Sequence, residues 1–311
     1  LITLLPLGVL ALLAAPPARA GGPKYVAGVS YFNSSVVGKP IVWAGGQLTY
    51  FVDQGPLTGA ISNVQATAMV DAAAQVWNTI PTAAVSLIDG GSLAEDVDLA
   101  NIQISNGAFQ QPADLAPTAT QTPVGVVFDM SGSVIDTIYG SGASQPENCS
   151  QNGVFMWIDN FNPNATFAHG IILLNGRCAT GSNLIAMMQY QLERAFGRLL
   201  GLDYAQVNDN ALSETASEPN AWLAWPIMDP VNGTCGVSGG TCIPNPTQPR
   251  TDDIAALNRL YPITSANIAG FPGKVLTTAN TISIQGTVRF PSGQGMQGVN
   301  VVARPLDANG N

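Results

Sequence analysis

The sequence is short of the residues from which most active sites are built. It holds a single histidine, His169, in 311 residues, four cysteines, and charged side chains at only 10% of positions. One imidazole rules out a helix that offers two of them to a metal. None of the cysteines stands in a C-x-x-C pair, which removes the spacing a structural zinc site uses. Lys and Arg number 11 against 20 acidic residues, so the net charge of -9 reflects scarcity of base rather than acidic runs. Such a surface repels polyphosphate, and nucleic acid is excluded as a partner. Neither a phosphate-binding Walker loop nor a dinucleotide fingerprint is present. Beyond the first 20 residues no segment is long and apolar enough to span a bilayer, so no membrane span is expected in the mature chain.

What is present points to export and to a packed core. An apolar share of 46% over 311 residues is ample for about two domains. Leu1 to Ala20 is an apolar stretch closed by Ala18-Arg19-Ala20, the layout of a secretory signal peptide with an A-x-A cleavage site. An uncleaved anchor is the alternative, but the run is shorter than the ~20 residues a span needs and Pro6 interrupts it. A secreted or extracytoplasmic location follows. Of the three possible cysteine pairings, Cys149 with Cys178 and Cys235 with Cys242 is preferred, because the second pair closes a short Gly-rich loop.

Residues 21 to 45 lack clear periodicity and read as a leader. Gln47 to Val52 alternates as a strand does. Ser62 and Gln65 form a capping box, and apolar positions from Ala66 to Ile80 recur at helical spacing until Pro81 stops them. Val85 to Ile88, Ile102 to Ile104 and Val124 to Asp129 are strand candidates, with a Pro-, Thr- and Gln-rich surface loop at 110 to 123. Asp129, Ser131, Ser133 and Asp136 resemble a calcium loop superficially, but a turn with self-capping side chains fits better. A helix is expected over 183 to 200, ending at Gly201.

The chemistry-bearing segment is Arg194-Ala195-Phe196-Gly197-Arg198-Leu199-Leu200-Gly201-Leu202-Asp203-Tyr204. Trp225-Pro226-Ile227-Met228-Asp229-Pro230 follows it, and then Thr251-Asp252-Asp253-Ile254 through Leu260-Tyr261-Pro262. Together these three segments resemble the matrixin-like metzincin zinc metallopeptidases. The first resembles the H-E-x-x-H-x-x-G-x-x-H helix, the second the Met-turn carrying Met228, and the third the helix that closes the catalytic domain. The likeness covers about Leu48 to Pro262, most clearly in its last third. It implies an α+β fold with a zincin-like domain, a mixed sheet and long helices, the first of them packed on the sheet.

The ligand slots of that frame hold Arg194, Arg198 and Tyr204, and the general-base slot holds Ala195. A guanidinium has no free lone pair and stays protonated, so it cannot ligate zinc. The resemblance therefore implies a degenerate site with no cofactor expected. His169, Glu193 and Asp203 are the candidates for a rescued metal site, with zinc as its cofactor if the chain is active. Arg194 and Arg198 either clamp an anion or carboxylate, such as a protein or peptide ligand in the remnant cleft, or pair with local acids.

Gly236-Val237-Ser238-Gly239-Gly240 matches a nucleophile-elbow pattern in letters only, since it lies between two cysteines and no histidine follows. Thr281 to Arg304 resembles the opening strands of a carboxypeptidase-regulatory-like β-sandwich. The expected organisation is a signal peptide at 1–20, a leader at 21–45, a zincin-like domain at 46–263, a linker at 264–280 and a partial β-sandwich at 281–311. The function expected is a secreted, catalytically inactive pseudopeptidase acting as a binding or scaffold module. An active zinc endopeptidase with unorthodox ligands and a structural cell-surface protein are the alternatives.

Overall fold

The structure, a computed structural model, describes residues 22–105, 108–205, 225–229, 246–279 and 286–296. Its centre is a five-stranded mixed sheet. In chain order the elements are β1 (Gln47–Val52), α1 (Asn63–Asn78), β2 (Ser86–Ser92), β3 (Gln103–Ser105) and β4 (Ala108–Gln110). There follow β5 (Val124–Asp129), α2 (Ser133–Tyr139), α3 (Cys149–Asn152), β6 (Val154–Asn162), β7 (Thr166–Asn175), α4 (Gly181–Leu199) and α5 (Thr251–Leu260). Strand order across the sheet is β2-β1-β5-β7-β6. The first four strands run parallel, and only the edge strand β6 is antiparallel to its neighbour. Strands β3 and β4 form a separate antiparallel ribbon.

Parallel neighbours need long crossovers, which bury both faces of the sheet. Strand β5, Val124-Gly125-Val126-Val127-Phe128-Asp129, is accordingly buried at every position. Because side chains alternate across a strand, Val126, Phe128, Ile172 and Leu174 enter the larger core with Trp77 and Phe196. Val127, Ile171 and Leu173 enter a second core on the opposite face, with Leu93, Leu115 and Ile135. The helices α1 and α4 lie on the first face.

Helix α1 starts where the capping box predicts: Gln65 N–H donates to the Ser62 hydroxyl, and Ser62 N–H donates to Gln65. The Asp129 segment is a capped turn, with the Asp129 carboxylate accepting from Ile135 N–H at the start of α2. Cys149 and Cys178 are joined, as preferred from the sequence, tying α3 to the turn after β7. Cys235, Cys242 and the Gly236–Gly240 pattern lie outside the described residues.

The segment read as a leader is packed into the domain. Ile41 and Trp43 are in the main core, and Lys24 N–H donates to Gly201 O. The stretch read as a linker also folds back: Lys274 donates to the carbonyls of Ala83 and Val85, and Val275 N–H donates to Pro81 O. Of the expected sandwich, only residues 286–296 are described, where Arg289 bridges to Gly295. Among the described residues no helix is long and apolar enough to cross a membrane.

Candidate functional site

Helix α4 positions the candidate residues, and three partners fix its last turn. The Trp43 indole N–H donates to Leu199 O at 2.8 Å, the Tyr261 hydroxyl donates to Leu200 O at 2.9 Å, and Leu202 N–H donates to Gly197 O at 3.1 Å. The helix stops at Gly201, which has φ +88°, a left-handed conformation open to glycine at little cost. The residues that follow pair with the N-terminal segment, since Pro23 bridges Leu202 and Asp203 N–H donates to Gly22 O at 3.1 Å.

Below the helix lies the Trp225–Asp229 turn. Its Met228 is buried against Gly197, where an added Cβ would stand 2.5 Å from the sulfur and 2.6 Å from the Trp77 ring. Glycine is required here by close approach. The bare helix flank also lets the Trp77 indole donate to Glu193 O at 2.9 Å. The turn is clamped by Asp253 at the start of α5, whose carboxylate accepts from Ile227 N–H (2.8 Å), Met228 N–H (3.0 Å) and Arg250 N–H (2.9 Å). Burial pushes the Asp253 carboxyl up to about 6, against the pull of those three donors.

The ligand slots of the expected zinc helix are filled by a stack of cations and rings. Arg194 is only 4% exposed and donates to Asp229 O at 2.6 Å. Its guanidinium lies 5.5 Å from the Tyr190 ring centre and 5.2 Å from that of Tyr204. The Tyr190 hydroxyl donates to the Asp229 carboxylate, and burial followed by that carboxylate's charge raises the phenol pKa. Arg198 sits 4.2 Å from the Tyr204 ring centre and 3.6 Å from Asp203. Cation–ring contacts of this kind contribute ~0.5–2 kcal/mol each. Ala195, in the general-base slot, is a buried core residue.

The three rescue candidates are not brought together. Glu193 is buried against α1, where among the described residues its carboxylate has one partner, Gln189 Nε2 at 3.4 Å, and its Oε2 has none. Burial pushes its carboxyl up to about 8, so it is neutral at pH 7. His169, wholly buried on β7, pairs through Nδ1 with Asp159 at 2.6 Å. Asp203 is exposed beside Arg198. Among the described residues no three His, Cys, Asp or Glu side chains converge as a metal site would require. A small apolar cavity lined by Ile102, Leu115, Val134 and Trp157 belongs to the second core and shares no residue with this cluster.

Sequence reasoning missed Tyr190, Asp229 and Lys24. Tyr190 stands four residues before Arg194 on one helix face, a spacing that pairs the two. Asp229 follows Met228 directly in the quoted turn. Lys24 carried no signal, because its approach to Arg198 depends on the docking of the N-terminal segment. Comparison of the chain with protein-family models finds no match, and comparison with curated proteins finds none either.

Proposed function

We propose that this chain is a secreted, catalytically inactive pseudopeptidase of metzincin-like, matrixin-related ancestry that acts as a binding or scaffold module. The observation that carries the reading is the state of Arg194. The residue in the first ligand slot is buried, hydrogen-bonded to Asp229 O and enclosed by Tyr190 and Tyr204, so it is a built part of the cluster. The mixed sheet, the two long helices and the clamped turn at Met228 support the zincin-like part of the proposal. The Cys149–Cys178 disulfide and the layout of Leu1–Ala20 support export.

Zinc does not fit the residues present. A peptidase zinc takes three protein ligands and leaves one position for water. Here two of the three slots hold guanidinium groups, which lack a donor lone pair and repel a dication. Tyr204 alone offers an oxygen. The test is zinc content after incubation with zinc and gel filtration, with a chelated sample as control. No stoichiometric zinc is expected, and no chelator-sensitive cleavage of casein or gelatin. Stoichiometric zinc with such cleavage would replace this reading with that of an active endopeptidase.

A further inference from the structure

Three of the chain's 11 basic residues, Lys24, Arg194 and Arg198, gather around the end of α4. Arg194 is enclosed, whereas Arg198 reaches the surface with its side chain 14% exposed. A basic residue in a last helical turn usually serves the free carbonyls there. That duty is already filled, because Gly197, Arg198, Leu199, Leu200 and Gly201 all have acceptors engaged by other groups. The nearest acid among the described residues, Asp203, is 3.6 Å away and more than half exposed, too far for a hydrogen bond. Arg198 Nη1 is buried and has no hydrogen-bond partner among the described residues.

Lys24 arrives from the docked N-terminal segment, its backbone N–H on Gly201 O at 2.8 Å and its ammonium 5.1 Å from the Tyr25 ring centre. Its ammonium is lowered to about 8, by burial first and then by the charge of Arg198, with Asp203 opposing. Among the described residues at this surface, Lys24, Arg198 and Asp203 sum to one positive charge, in a chain whose net charge is -9. Tyr204, 39% exposed, presents a flat ring beside the guanidinium. One unmatched positive charge suits a monoanion better than a phosphate dianion, and a planar N–H fork suits a carboxylate.

We propose that Arg198, Lys24 and Tyr204 form a carboxylate-binding site for a peptide. Arg198 grips the carboxylate, Lys24 adds the second charge, and the Tyr204 ring receives the adjoining residue. The peptide part rests on the pseudopeptidase reading above, whereas the carboxylate part rests on this geometry. Removing the N-terminal segment would take away half of the charge.

The experiment is calorimetric titration of the full chain with three probes: N-acetyl-tetraalanine as the free acid, the same peptide as its C-terminal amide, and an amide carrying one internal glutamate. The free acid or the glutamate peptide is expected to bind about tenfold or more tightly than the plain amide. Binding by the free acid alone identifies a chain end as the ligand, and equal binding by the glutamate peptide identifies an acidic side chain; either supports the site. Arg198→Gln and Lys24→Gln are each expected to lose about tenfold in affinity while circular dichroism shows both variants still folded at the titration temperature, the loss of the Arg198–Tyr204 contact lowering the thermal midpoint only modestly. Equal binding of acid and amide, no binding of any probe, or wild-type affinity in both variants overturns the proposal. Zinc uptake with cleavage of these peptides would overturn the pseudopeptidase reading separately, leaving the ratio of acid to amide binding to decide the site.

Discussion

Replacing Glu193 by Gln should remove most of the pH dependence of stability between pH 6 and 8. The carboxyl is buried against α1 with one weak partner, and burial holds it neutral up to about pH 8 instead of the ordinary 4.5. The folded state therefore retains a proton that the unfolded chain releases above ~4.5, so stability falls as pH rises between those values and levels off above 8. Well inside that interval each pH unit costs ~1.4 kcal/mol, and the slope halves at the folded pKa, so the loss between pH 6 and 8 is roughly 2 kcal/mol. Asp53 and Asp253, held up to about 6 by burial, act mostly below this window. Lys24 and Lys274, lowered to about 8, act above it and in the opposite direction, because neutral buried amines favour the fold at high pH. Urea unfolding at pH 6, 7 and 8 is the assay. The wild type should lose about 2 kcal/mol across the series, and the Glu193→Gln variant should stay flat within about 1 kcal/mol. A wild type that is flat, or a variant with the wild-type slope, would refute the reasoning.

Two further outcomes follow from packing around the Met228 turn. Gly197→Ala drives a methyl into the Met228 sulfur and the fully buried Trp77 ring, and should cost ~1–3 kcal/mol in urea unfolding through overpacking. A change under 0.5 kcal/mol, the scale of surface substitutions, would show that the turn is free to move. Asp253→Ala leaves the amides of Ile227, Met228 and Arg250 without their carboxylate acceptor. At ~1–3 kcal/mol for an unsatisfied buried group, the loss should reach at least ~3 kcal/mol. An unaltered thermal midpoint would dismiss Asp253 as the clamp.

Local signals were the legible ones. Ser62, Gln65 and Pro81 bracket α1 because capping and proline act within a few residues, and Gly201 marks the end of α4 for the same reason. Val124–Asp129 stands out because β-branched residues buried on both faces leave a continuous apolar run. Strand β6 was not foreseen. Its run Val154-Phe155-Met156-Trp157-Ile158 does not alternate in polarity, and its pairing with β7 shifts register around Asn160. The docking of residues 22–45 was equally hidden, since its bonds to Gly201 and Asp203 join parts of the chain about 180 residues apart. At the site, Arg194, Arg198 and Tyr204 were legible in the sequence but their company was not. That Arg194 lies between two tyrosine rings depends on how Tyr204 returns over the helix after Gly201.

The two indoles that donate to α4 give the helix built-in reporters. Trp77, on α1, bonds to its second half at Glu193 O, and Trp43, in the segment before β1, bonds to its end at Leu199 O. Each indole proton exchanges with solvent only when its own stretch of helix lifts away. Their relative exchange rates thus separate fraying at the Arg198 end, where a ligand would act, from opening of the whole core, with no label added to the chain.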